Sequence, residues 1–193
     1  MNSVLKTSAY ILAGGKSSRM GTDKGMLLLN GKRLVDHVAE TLHMVGLDVT
    51  IVSDHADYQS LNYRVIPDLL KGYGPAGGVY TAMKDSQADQ LLFCTCDAPS
   101  ISQDLVKGLL MNAGLADALL VKYQDRPEPF PLLIRRSCIH HWETGIKNGV
   151  LKMMQLINLN YCRLMDIESD LGLSPDLLAN INTPDDYKRI SGD

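Results

Sequence analysis

Ala9-Tyr10-Ile11-Leu12-Ala13-Gly14-Gly15-Lys16-Ser17-Ser18-Arg19-Met20-Gly21-Thr22-Asp23-Lys24 is the stretch around which this chain is organised. An apolar strand runs straight into paired glycines, then small hydroxyl residues, then spaced cations. Without side chains, Gly14 and Gly15 allow a tight turn that brings backbone N–H groups close to an anion. Lys16, Arg19 and Lys24 add the positive charge that a polyphosphate needs. The pattern predicts a nucleotide phosphate loop at the end of a strand.

Two commoner phosphate motifs do not fit. Gly15-Lys16-Ser17 imitates the end of a Walker A motif, but the upstream glycine would fall at Tyr10. The dinucleotide fingerprint G-x-G-x-x-G fails because the glycines are adjacent and the next is Gly21. A helix therefore need not start at the glycines, as it would in either motif.

Outward from this loop the chain alternates strands and helices. The run 26–29 closes at the turn dipeptide Asn30-Gly31. Leu34, Val35, Val38, Ala39, Leu42 and Val45 recur at helical spacing, and Gly46 ends that helix. Strands are predicted at 49–52 and 63–66, the second stopped by Pro67-Asp68. The glycine-rich segment 72–78 leads into a helix whose face carries Val79, Ala82 and Met83. The nearly continuous apolar run 90–96 reads as a central strand covered on both faces and terminates in Asp97-Ala98-Pro99. A helix at 102–111 and a strand at 118–123 follow. At 130–134 the chain extends again, with Pro131 pointing to an edge or irregular strand. Two helices, 138–148 and 150–157, are predicted on either side of Gly149, then a strand at 162–167. In the tail Thr183 suits an N-cap, Pro184 the first helical position, and Asp186 stands three after the cap. No repeat, linker or composition shift divides the 193 residues, so the expectation is one α/β domain spanning 1–193.

Composition narrows the partners. A formal net charge of −3 gives no general case for nucleic acid or an anionic membrane. No apolar run approaches the roughly 20 residues of a membrane span, and the first residues lack a secretory apolar core. The four cysteines follow neither metal-ligand nor disulfide-framework spacing, so a reducing cytoplasm is expected. The histidines lack partners at metal or triad spacing and are read as structural.

The opening stretch also resembles the signature L-A-G-G-x-S-x-R-M-G-x-D-K of molybdenum cofactor guanylyltransferases. Three later blocks match in family order: Gly74-Pro75 with Gly77, Cys96-Asp97-Ala98-Pro99, and Asn180-Ile181-Asn182-Thr183-Pro184. The resemblance implies a three-layer, Rossmann-like nucleotidyltransferase domain with a mostly parallel central sheet. It implies transfer of GMP from GTP to the terminal phosphate of molybdopterin, or of molybdenum-loaded molybdopterin, with release of pyrophosphate. It implies Mg2+, with Asp97 as metal ligand and Arg19, Lys24 and Asp97 as catalytic groups. Nucleotide contacts would come from Leu12, Ala13, Gly14, Gly15, Lys24, Asp68, Gly74 and Asp97, and acceptor contacts from Asn180 and Asn182. Transient contact with proteins that insert or deliver the molybdenum cofactor would follow.

Several of these residues have plainer readings. Asp97 would otherwise cap the next helix, Asp68 form a turn, and Asn182 shape the chain before the Thr183 cap. Lys16 reads equally as an exposed lysine. Ala76 stands where the family has Leu, and Glu128 where it has an uncharged or weakly basic group. The alternatives are a sister enzyme using CTP or another phosphorylated acceptor, and a non-catalytic GTP-binding adaptor.

Overall fold

A computed structural model describes residues 5–14, 23–158 and 161–191, apart from the side chain of Pro184. In chain order the elements are β1 (Thr7–Leu12), β2 (Leu28–Leu29), β3 (Lys32–Arg33), α1 (Leu34–Met44), β4 (Val49–Val52), β5 (Arg64–Ile66), α2 (Gly74–Asp85) and β6 (Gln90–Thr95). They continue with α3 (Gln103–Asn112), β7 (Ala118–Tyr123), β8 (Arg126–Arg135), α4 (Ile139–Lys147), α5 (Met153–Ile157), β9 (Cys162–Asp166) and α6 (Pro184–Ser191). Among the described residues, seven strands form one sheet in the order β5-β4-β1-β6-β8-β7-β9, and only β8 runs against its neighbours. The predicted mostly parallel α/β sheet is present.

Alternation along each strand builds two cores. Ala9 and Ile11 of β1, Leu92 and Cys94 of β6, and Leu119 and Val121 of β7 pack on one face with Val38 and Leu42 of α1 and Leu105 and Leu109 of α3. Tyr10 and Leu12, Leu91 and Phe93, and Ala118 and Leu120 face the other way. There they meet Val79 and Met83 of α2, Trp142 of α4 and Leu156 of α5. This gives the three layers.

Local chemistry explains the element ends. The left-handed Gly46, at φ 81°, closes α1: its N–H donates to the His43 carbonyl at 2.9 Å and that of Leu47 to Leu42 at 3.2 Å. Asn30 and Gly31, at φ 52° and 79°, make the two-residue turn between β2 and β3. In the tail, the Asp186 N–H donates to Thr183 Oγ1 at 3.1 Å and the Thr183 N–H to Asp186 Oδ2 at 2.9 Å, a reciprocal capping box at the start of α6. Ile181 packs with Leu29 and Leu34, and Tyr187 and Ile190 close over them, so the tail docks on the β2–β3 hairpin.

One expectation needs correction. Of the edge or irregular strand expected around Pro131, the irregular one is present, and the segment is not at an edge. It lies within the ten-residue β8, between β6 and β7. The pairing of β7 jumps from Leu120↔Leu132 to Val121↔Glu128, leaving Pro129, Phe130 and Pro131 in a bulge. The prolines thus occupy positions where the ladder requires no N–H. The second predicted helix of the pair is also shorter, beginning at Met153 rather than Val150.

Candidate functional site

From β1 the chain moves outward to β4 and β5, then returns to the other side of β1 as β6. The order therefore reverses between β1 and β6, and open α/β sheets bind ligands at the carboxyl ends of strands flanking such a point. A cleft of about 720 Å³ opens there. Leu12, Ala13 and Gly14 from the end of β1 and Thr95, Cys96 and Asp97 from the end of β6 share its wall. The Cys96 N–H donates to the Leu12 carbonyl at 3.2 Å, holding the two strand ends together.

Three of the predicted site residues meet at one point. The Lys24 ammonium donates to Asp97 Oδ2 at 3.2 Å and to Asn182 Oδ1 at 2.6 Å. These groups come from positions 158 residues apart in the chain. The Asp97 carbonyl accepts the Ile181 N–H at 2.8 Å, so the backbone fixes the tail beside the carboxylate. The helix-capping alternative for Asp97 is ruled out. Ser102 is the N-cap of α3, with its Oγ accepting the Leu105 N–H at 3.2 Å. The Asn182 side chain reaches Lys24, and its N–H donates to Asp186 Oδ2 at 3.0 Å, which shapes the chain before the Thr183 cap.

On the other wall, Asp68 Oδ1 accepts the Leu70 N–H at 2.9 Å and the Thr81 hydroxyl at 2.7 Å. Asp68 is thus a turn aspartate and also a lining residue, with Gly74 beside it. Gly74 starts α2 at φ 58°, in the left-handed region. Among the described residues, a Cβ built on Gly14 would meet nothing within 4 Å. Gly77 is the opposite case. Its Cβ would stand 2.7 Å from the Leu70 carbonyl oxygen and 3.2 Å from Asp68 Oδ2. Gly77→Ala is therefore expected to destabilise the protein by about 1–3 kcal/mol through overpacking, outweighing the ~1 kcal/mol helix gain. Urea unfolding checks this.

Ala76 lies in the core, not the cleft, and its carbonyl accepts Trp142 Nε1–H at 3.0 Å. Asn180 is exposed and is not drawn into the Lys24 cluster. Gly15, Lys16 and Arg19 lie outside the described residues. Sequence reasoning passed over Ser53 and His55, which line the cleft just after β4. Their place at the carboxyl end of a strand next to β1 was the available signal. Thr95 was also missed: its Oγ1 is buried without a hydrogen-bond partner among the described residues.

The electrostatics suit bound anions rather than covalent chemistry. Burial pushes the Cys94 thiol up to about 12. Burial first, then the Asp97 and Asp23 carboxylates, pushes Cys96 well above the ordinary thiol range. Neither is a thiolate nucleophile near neutral pH. No group of three or more His, Cys, Asp or Glu side chains arranged to hold a metal occurs among the described residues. Asp97 and Asn182 nevertheless place two hard oxygens around one cationic group, the Lys24 ammonium. Such a pair fits a small divalent cation completed by substrate phosphates, the usual arrangement for Mg2+.

A second concavity, of about 520 Å³, lies at the opposite edge of the sheet. There Arg64 grips Asp85 through two bonds of 2.5 and 2.6 Å, and the Tyr10 hydroxyl donates to Asp85 at 2.8 Å. These groups satisfy one another and brace β5 and β1 against α2. No helix among the described residues is long and apolar enough to cross a membrane.

Comparison with known proteins agrees with this geometry. Residues 9–160 match the MobA-like NTP transferase domain. A molybdenum cofactor guanylyltransferase of Shewanella sp. (strain MR-4) is 31% identical over 98% of this chain and 97% of its own length. A probable molybdenum cofactor guanylyltransferase of Flavobacterium johnsoniae is 29% identical over 95% of this chain and 96% of its own. The crystal structure of molybdopterin-guanine dinucleotide biosynthesis protein A from Archaeoglobus fulgidus superposes with a TM-score of 0.81 at 25% identity, covering 96% of this chain and 97% of that one. With its sheet order, its cleft between β1 and β6 and a match over most of its length, this chain belongs to the MobA-like NTP transferase domain family.

Proposed function

We propose that the protein is a molybdenum cofactor guanylyltransferase: it transfers GMP from GTP to the terminal phosphate of molybdopterin and releases pyrophosphate. The observation that carries this reading is the meeting of Lys24, Asp97 and Asn182 above the carboxyl ends of β1 and β6. An acceptor phosphate oxygen attacks the α-phosphorus of GTP. A new P–O bond forms, the bond to the β-phosphate bridge oxygen breaks, and pyrophosphate carries away the electron pair. The attacking phosphate is already anionic near neutral pH, so no protein nucleophile or strong base is required. What the protein must supply is alignment of two repelling anions and charge opposite the leaving group.

Lys24 provides that charge directly, and Arg19 adds a second cation in this proposal. Asp97, with Asn182 beside it, is the proposed holder of Mg2+. When bound, the metal offsets phosphate charge as a Lewis acid. Leu12, Ala13 and Gly14 form the floor for the nucleotide in this proposal. Asp68 and Gly74 border it from the α2 side. The acceptor enters on the Asn182 side in this proposal, and Asn180, exposed two residues earlier, remains an acceptor candidate. We read residues 1–193 as one catalytic domain, supported by the bond of Ile181 in the tail to Asp97. Four unpaired thiols suit a reducing cytoplasm.

The test is pyrophosphate release with each nucleoside triphosphate, with and without molybdopterin and Mg2+. Release is expected with GTP only when molybdopterin is present. Preference for CTP would replace the guanylyl assignment by its cytidylyl sister. Tight GTP binding without any pyrophosphate release would instead make the protein a nucleotide-binding adaptor.

A further inference from the structure

Lys24 reaches Asp97 and Asn182 only while the short turn that carries it keeps its place. That turn is a three-residue 3-10 helix, Lys24–Met26, too short to be held by its own backbone bonds. Its anchor is Asp23, whose Oδ1 accepts the Gly25 N–H at 3.1 Å. The same oxygen accepts the Tyr58 hydroxyl. Tyr58 belongs to a separate segment, the 3-10 helix Ala56–Ser60 that follows β4. Its ring is fully buried in the core shared with Val35, Ala39 and Ile101, so packing fixes where the hydroxyl points. A Cβ on Gly25 would lie 2.1 Å from the Tyr58 oxygen, which places the phenol directly against the backbone beside Lys24. Asp23 is itself only 8% exposed, so water does not replace a lost partner.

We propose that Tyr58 is a positioning residue for nucleotidyl transfer: acting through Asp23, it fixes the turn that presents the Lys24 ammonium to the nucleotide phosphates. The inference rests on the guanylyltransferase reading, since it assigns Tyr58 a role only through Lys24. Burial first, then the neighbouring Cys96 and Asp23, holds the phenol far above its ordinary pKa, so the group facing Asp23 is a hydrogen-bond donor. A tyrosine serving only to fill the core would contribute through its ring, not through this bond.

A double-mutant cycle separates the two roles. The full chain, Tyr58→Phe, Lys24→Ala and the double variant are titrated with GTP and Mg2+ by calorimetry and assayed for pyrophosphate release. Tyr58→Phe keeps the ring and removes only the hydroxyl. It is expected to weaken GTP affinity about tenfold, the scale of one buried hydrogen bond to a charged group. Lys24→Ala is expected to weaken it by about a hundredfold, and the double variant no further. If Tyr58→Phe binds GTP as wild type does while Lys24→Ala does not, the positioning role falls and the guanylyl reading stands. The role also falls if the tenfold loss persists undiminished in the Lys24→Ala background. If folded wild-type protein takes up no GTP, the reading and the inference fall together. Should Tyr58→Phe not fold, Asp23→Ala, which removes the acceptor of both bonds, enters the same cycle with the same supporting and overturning results.

Discussion

Asp97→Asn is expected to slow pyrophosphate release by about a thousandfold while the protein remains folded. The two halves of this expectation come from different atoms of the residue. The backbone of Asp97 is structural, because its carbonyl accepts the Ile181 N–H and so docks the tail beside the cleft. Asparagine keeps that carbonyl. Among the described residues the side chain makes one ion pair, to Lys24 at 3.2 Å, between groups 25% and 19% exposed. Losing a pair so accessible to solvent costs about 1 kcal/mol or less. The chemistry loses more, because the substitution removes the negative charge that the proposed metal site relies on and leaves it two neutral amide oxygens. The proposed GTP contacts at Gly14 and Asp68 are untouched by this substitution, so the defect is expected mainly on kcat. The check is steady-state kinetics paired with thermal unfolding. An inactive variant that is also unfolded would return Asp97 to a structural role.

The residues differ in how far the sequence exposed them, and the cause is physical. Strands β4 and β7 were legible to the residue because each is rich in β-branched or apolar residues and lies between polar boundaries. The capping box at Thr183 and the turn at Asn30-Gly31 were legible because their chemistry is local. Strand β8 was not: Pro131 signals an edge, and only the long bulge opposite Leu120 and Val121 lets it sit inside the sheet. The site follows the same division. Lys24, Asp97 and Asn182 could be named from motif resemblance, but nothing in their spacing dictates that one ammonium joins both oxygens. The Tyr58–Asp23 contact was invisible, since a tyrosine within a polar segment carries no pattern that names a partner 35 residues away. Long-range contacts are set by sheet order, and only the fold supplies that.

Trp142→Ala is the second large effect, and it acts on stability before it acts on catalysis. Trp142 is fully buried in the core between α2, α4 and α5, and its Nε1–H donates to the Ala76 carbonyl at 3.0 Å. Ala76 is in the first turn of α2, next to the Gly74 and Pro75 that border the cleft. Truncation removes the indole ring and opens a cavity, at an expected cost of about 3–5 kcal/mol. This is a large share of the roughly 5–15 kcal/mol that holds a domain folded. At about 2–4 °C per kcal/mol for a chain of this size, the melting point should fall by about 10 °C. Trp142→Phe keeps most of the apolar volume and loses the N–H bond, so it should cost less than half as much. Because the bond ends on the cleft-forming turn, Trp142→Phe should also raise KM for GTP measured well below the melting point, with kcat little changed. Melting curves and kinetics on both variants test the pair: equal destabilisation by Ala and Phe would move the indole's contribution from packing to its hydrogen bond.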